Sequence, residues 1–144
     1  MRVHLAVLSC ATAMLVLIAT PTLGQKPGVK TTTAPPTSAT SGAEMYASYC
    51  AACHGKDGKG NGPAAQALKV PPPDLTALSR RNGGKFPGIL VAHAIASDAD
   101  LSAHGSKDMP VWGPVFRALS RDDQALVQMR ITNLTKYVES LQMK

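Results

Sequence analysis

Cys50-Ala51-Ala52-Cys53-His54 limits this chain more than any other five residues in it. Two thiols at C-x-x-C spacing with an imidazole directly behind them form the attachment pattern of a c-type haem. On a helical turn the two sulfurs reach the vinyl groups along one porphyrin edge as thioethers. The next residue then lies under the ring, where an imidazole nitrogen takes the proximal face of the iron. With 3 Cys and 4 His in 144 residues, chance gives roughly 0.002 expected matches, so coincidence is a poor account of the motif. Two blander readings compete. A redox dithiol wants a strand-to-helix setting, and no strand pattern precedes Cys50. A closed zinc site wants four ligands, and no second C-x-x-C or H-x-x-x-H follows.

The amino terminus is a different material. Arg2 precedes an uncharged apolar run from Leu5 to Ala19, and Thr22-Leu23-Gly24 offers small residues for cleavage before Gln25. That run is shorter than the roughly 20 residues of a comfortable bilayer span. Residues 1–24 therefore read as a secretory signal, or as an anchor if left uncut. Cys10 sits inside the apolar run, where a lipoprotein signal should already have ended, and it leaves with the leader. The other two cysteines serve the haem, so no structural disulfide is expected. Residues 25–41, with Thr31-Thr32-Thr33 and Pro35-Pro36, hold almost no large apolar side chain and read as a disordered linker. The folded domain is expected over residues 42–144.

From Ser41 onward the chain carries 12 Lys and Arg against 9 Asp and Glu. This mild basicity, without a long run or aromatic interleaving, excludes nucleic acid as an expected partner. Ser41 caps a helix whose Met45, Tyr46 and Tyr49 share one face into the haem motif. The glycines of residues 55–62 predict a loop that turns tightly beside a flat ring, since neither a phosphate loop nor a dinucleotide fingerprint fits. Pro71-Pro72-Pro73 is an extended stretch, and Asp74 caps a short helix ending at Asn82-Gly83-Gly84. Pro87 opens the next helix, with Leu90, Val91 and Ile95 apolar. Residues 97–105 are polar, and Met109 to Pro114 predict an extended loop. Ser120, backed by Asp122 and Asp123, predicts the start of a last helix reaching about Leu141, with Leu126, Ile131, Leu134, Val138 and Leu141 inward.

CAACH at 50–54, GKGNGP at 58–63, RNGGKFP at 81–87, HGSKDMPVWG at 104–113 and the terminal helix, in this order, resemble the class I monohaem cytochrome c family. The resemblance spans about residues 42 to 142. It implies an all-α fold of three to five small helices packed around one covalently bound haem, with Tyr46 meeting Leu134 and Tyr137 where the first and last helices cross. It implies Met109 as the second axial ligand opposite His54, a soft thioether that favours ferrous iron and raises the potential. His104, in the same loop, and His93, within the preceding helix, are the competing imidazoles. The family pattern further implies a Pro63 carbonyl on the other nitrogen of His54, and Trp112, Arg81, Asn82 and Lys85 as donors to the propionates. The function implied is one-electron transfer between transient redox protein partners, by an exported, periplasmic carrier rather than an enzyme. The same domain can serve as a subunit of a larger oxidoreductase. A weak Met109 would instead make it a ligand sensor or a peroxidase-like enzyme.

Overall fold

The computed structural model describes residues 34–96 and 109–143. The leader, the linker up to residue 33, the polar stretch 97–105 and His104 lie outside the described residues. All described residues fall within the second of the chain's two units, Thr33–Lys144. Helices and loops make up the described part, with no strand among the described residues. The all-α expectation is met.

Helix α1 (Gly42–Met45) begins where expected, with Ser41 Oγ accepting from the Glu44 amide at 3.1 Å. The helix then widens into a π-helical segment, Tyr46–Cys50, before resuming as α2 (Ala51–His54). Single-turn widenings of this kind concentrate at functional sites. Gly55, at φ +78°, stops α2. The glycine loop then folds back beneath the helix it has just left. The amides of Gly60, Gly62 and Ala64 donate to the carbonyls of His54, Cys53 and Ala52 at 2.8, 3.0 and 2.8 Å. These are helix-end carbonyls that would otherwise lack partners. A Cβ at Gly62 would press against the Ala51 and Ala52 carbonyls, so glycine is required there by close approach, not by dihedral angle.

Asp74 caps the next turn, its Oδ1 accepting from the Thr76 amide at 2.8 Å. A 3₁₀ turn, Leu75–Ala77, leads into α3 (Leu78–Arg81), and Gly83 and Gly84 at positive φ end it. Pro87 immediately precedes α4 (Gly88–Ala96), its carbonyl accepting from the Val91 amide at 3.0 Å. Ile95 is buried as expected, while Leu90 is exposed.

The stretch after Met109 departs from expectation. Trp112–Leu119 is a helix, α5, and not an extended loop. Pro114 is its third residue, inside the first turn, where a missing amide proton breaks no intrahelical bond. Ser120 is correspondingly the C-cap of α5 and not the N-cap of the last helix. Arg121 and Asp122 adopt positive φ, and Asp123 caps α6 (Gln124–Ser140) by accepting from the Ala125 and Leu126 amides at 2.9 and 3.2 Å. Starting α6 at residue 124 puts Val127, Arg130, Ile131, Leu134 and Val138 inward and leaves Leu126 exposed.

Helix α6 is the spine of the domain, packing on α1, α4 and α5 and on the turn Leu75–Ala77. Met45, Tyr46, Phe116 and Leu134 are the largest fully buried side chains. The crossing of α1 and α6 is tight, with Tyr46 and Tyr137 ring centroids 5.1 Å apart. A Cβ at Gly42 would lie 2.8 Å from the Tyr137 Cβ and would also strike the Asn133 carbonyl. Gly42→Ala should therefore cost about 1–3 kcal/mol of overpacking. A thermal melt should show Tm falling by roughly 4–8 °C for each kcal/mol in a domain near this size. An unchanged Tm would mean the two helices separate without cost.

The linker also differs from expectation. Residues 34–41, read from composition as unstructured, lie against the domain. Arg130 donates to the Thr37 carbonyl at 2.9 Å, Asn133 to the Ala39 carbonyl at 3.0 Å, and the Tyr49 hydroxyl to the Pro35 carbonyl at 2.6 Å. A polar, proline-rich segment has no apolar face, but its backbone carbonyls are good acceptors, and these hold it in place.

Candidate functional site

The helical run that ends at His54 carries three of the four chemically distinctive side chains, and the loop before α5 carries the fourth. Cys50, Cys53, His54 and Met109 all line one cavity of about 500 Å³, within the size class of a cofactor site. Tyr46, Tyr49, Pro71, Pro72, Pro73, Leu75, Leu78, Ile95, Leu134 and Val138 complete a mainly apolar wall. Trp112, Arg81 and Asn82 reach the same cavity. Lys85 and Pro63 do not line it, and both are exposed.

The local chemistry suits a neutral, covalently held group better than a thiolate. As a free thiol, Cys50 is pushed up to about 12, first by burial and then by neighbouring Cys53. A cysteine that resists ionisation is a poor nucleophile and a poor zinc ligand, whereas a thioether sulfur carries no charge to desolvate. Burial likewise pushes the His54 imidazole below the ordinary histidine value, with the Pro73 backbone working in the opposite direction. Its Nδ1 is buried and has no hydrogen-bond partner among the described residues. The depressed value keeps the imidazole neutral at pH 7, the form that binds a metal. Among the described residues, no group of three or more His, Cys, Asp or Glu is placed to hold a metal ion by itself.

Pro73 lines the cavity together with His54, and Pro63 does not. Pro63 lies in the turn after the glycine loop, where the amides around it bond to α2 instead. The sequence marks Pro71–Pro73 only as an extended stretch. Tyr46, expected where the first and last helices cross, lines the cavity as well. Its hydroxyl donates to the Gly55 carbonyl at 2.8 Å, pinning the residue directly after His54. Burial is the first cause that raises its pKa, so it stays a donor.

Trp112 stacks on Tyr49 with centroids 5.1 Å apart and planes at 29°, and on Phe116 at 6.2 Å and 28°. Arg81 is committed to the Asp74 carbonyl at 2.6 Å, and Asn82 Nδ2 donates to the Lys85 carbonyl at 2.8 Å. Both side chains tie the Asp74–Lys85 segment to itself while bordering the cavity. Lys85 contributes through its backbone and not its ammonium. His93 is exposed and lies outside the cavity lining.

Comparison with protein families matches residues 39–142 to the model described as cytochrome c. Comparison with curated proteins and with solved structures finds no match. The family match includes every residue that lines the cavity. The chain belongs to the cytochrome c family, whose members carry a covalent c-type haem.

Proposed function

We propose that this chain is an exported one-electron carrier, with its haem joined to Cys50 and Cys53 and its iron held by His54 and Met109. The observation that carries this reading is the convergence of those four side chains on one apolar cavity. The haem supplies a reversible ferrous–ferric couple. The protein's part would be to hold the iron through His54 and Met109 and to keep water away. His54 is kept neutral by burial and oriented towards the cavity by α2, whose end is fixed by the glycine loop and by Tyr46. Met109 supplies a soft sulfur that favours the reduced state. The proline and leucine walls exclude solvent, while Trp112, Arg81 and Asn82 offer donors at the cavity border for the propionates.

If His54 and Met109 both hold the iron, dioxygen and peroxide would find no open site, and outer-sphere electron transfer would remain. Partner contacts should then be weak and brief, as electron-transfer encounters generally are. Residues 1–24 act as the export signal and place the domain in the periplasm, and an uncut leader would tether it to the membrane there. Among the described residues no helix is long and apolar enough to cross a membrane.

Carbon monoxide separates this reading from a sensor or a peroxidase-like enzyme. The dithionite-reduced protein should show no change in its visible spectrum under carbon monoxide. A shifted Soret band at neutral pH would show that the sulfur ligand yields, and would move the protein to the ligand-binding class. Purification of the native protein as a separate species or within a stable complex distinguishes a free carrier from a subunit.

A further inference from the structure

Arg130 is a cation buried in the middle of α6, and its partners are all uncharged. Only 6% of it is exposed. Its Nη2 donates to the Thr37 carbonyl at 2.9 Å, its Nη1 to Thr37 Oγ1 at 3.0 Å, and its Nε to Ser120 Oγ at 3.2 Å. A longer Nη1 contact, 3.8 Å, reaches Met45 Sδ. A guanidinium taken out of water is costly unless its donors are satisfied. Here two of those donors depend on residue 37, which lies outside the helical domain.

Both ends of this network converge on α5, the helix that follows Met109. At its far end, Ser120 is the buried C-cap of α5 and accepts directly from Arg130. At its near end, Thr37 Oγ1 meets the Tyr49 hydroxyl at 2.8 Å, and the Tyr49 ring stacks on Trp112, the first residue of α5. Tyr49 is held a second time by the Pro35 carbonyl at 2.6 Å. Met109 stands three residues before Trp112. Where α5 sits therefore decides where the Met109 arm sits.

We infer that residues 34–40 form a strap which, through Arg130 and Tyr49, clamps α5 at both ends and so holds Met109 in the cavity. Arg130 and Thr37 are positioning residues, since neither lines the cavity. The inference rests on Met109 being the distal ligand. A looser α5 raises the fraction of molecules in which Met109 has left its place. An outside ligand then binds more tightly in proportion to that fraction.

The test is imidazole titrated into the ferric holoprotein, following both its apparent Kd and the loss of the sulfur-to-iron band in the red. Thr37→Val removes the hydroxyl at constant shape and should tighten imidazole binding about tenfold, the scale of a lost hydrogen bond to a charged group. Thr37→Ser keeps the hydroxyl and should hold the parental Kd. Arg130→Lys keeps the charge but not the fork, and should tighten binding at least as much. If Arg130→Lys does not accumulate as folded protein, the Thr37 pair decides alone. Parental affinity in Thr37→Val overturns the strap, and so does tightening confined to Arg130→Lys, which would leave Ser120 as the link. A parent protein without the red band removes Met109 from the site and this inference with it. A parent with the band and unmoved variants removes the inference only.

Discussion

Replacing Met109 with alanine leaves the haem attached, abolishes the sulfur-to-iron charge-transfer band in the red and lowers the reduction potential. Attachment survives because it depends on Cys50 and Cys53, which belong to the run 46–54 on the other side of the fold's sequence. The potential falls because a thioether is a soft ligand that favours ferrous over ferric iron, and water or an oxygen donor in its place reverses that preference. If the preference changes a hundredfold, the fall is roughly 120 mV, at about 59 mV per tenfold for a one-electron couple. The same variant should bind carbon monoxide when reduced, in contrast to the parent. Redox titration with the visible spectrum recorded at each point reads all of these results. A band that survives in Met109→Ala assigns the distal position to another residue, with His104 the first to be tried.

Removing both attachment sulfurs has the larger structural effect. In Cys50→Ala/Cys53→Ala the haem loses its covalent hold and the domain should fail to accumulate as a folded species. The cavity explains why. About 500 Å³ of the interior is shaped for a group other than side chains. At about 24 cal/mol per Å³, leaving such a volume empty would cost roughly 12 kcal/mol. The open mouth makes this an upper figure, yet it compares with the whole 5–15 kcal/mol or so that stabilises an ordinary domain. No disulfide compensates among the described residues, whose two cysteines are both replaced in this variant. Far-ultraviolet circular dichroism should show the double variant with little helix. A cooperative, native-like melt from the double variant would show that the helices hold together without covalent attachment.

The contrast between legible and illegible parts of this chain follows from which physical signal each part uses. CAACH is legible because covalent chemistry demands those residue types at that spacing. The Ser41 cap, the glycine loop and the Asp74 cap are legible because each answers a local backbone demand. Helix α5 was hidden by Pro114, which reads as a breaker unless one knows that it falls in a first turn. The start of α6 is not legible because Ser120 and Asp123 are both good cap residues, and the positive φ of Arg121 and Asp122 separates the two helices between them. Pro73 beside His54 was not legible, because the Pro71–Pro73 run is brought to the cavity by tertiary packing and not by any local signal. Arg130 was invisible for a different reason. In a helix with polar residues on most sides a lone arginine reads as solvated, and its burial depends on a strap that composition alone makes disordered. Lys85 shows the opposite failure, as a basic residue near the right segment whose side chain stays outside the cavity.

Acid–acetone extraction of the purified protein, produced alongside a haem-attachment system and followed by intact mass measurement, tests the central claim most directly. The colour should stay with the precipitated polypeptide, and its mass should equal the chain plus one haem. Colour that passes into the solvent, or a colourless chain of unmodified mass, would contradict the bonding of haem through Cys50 and Cys53.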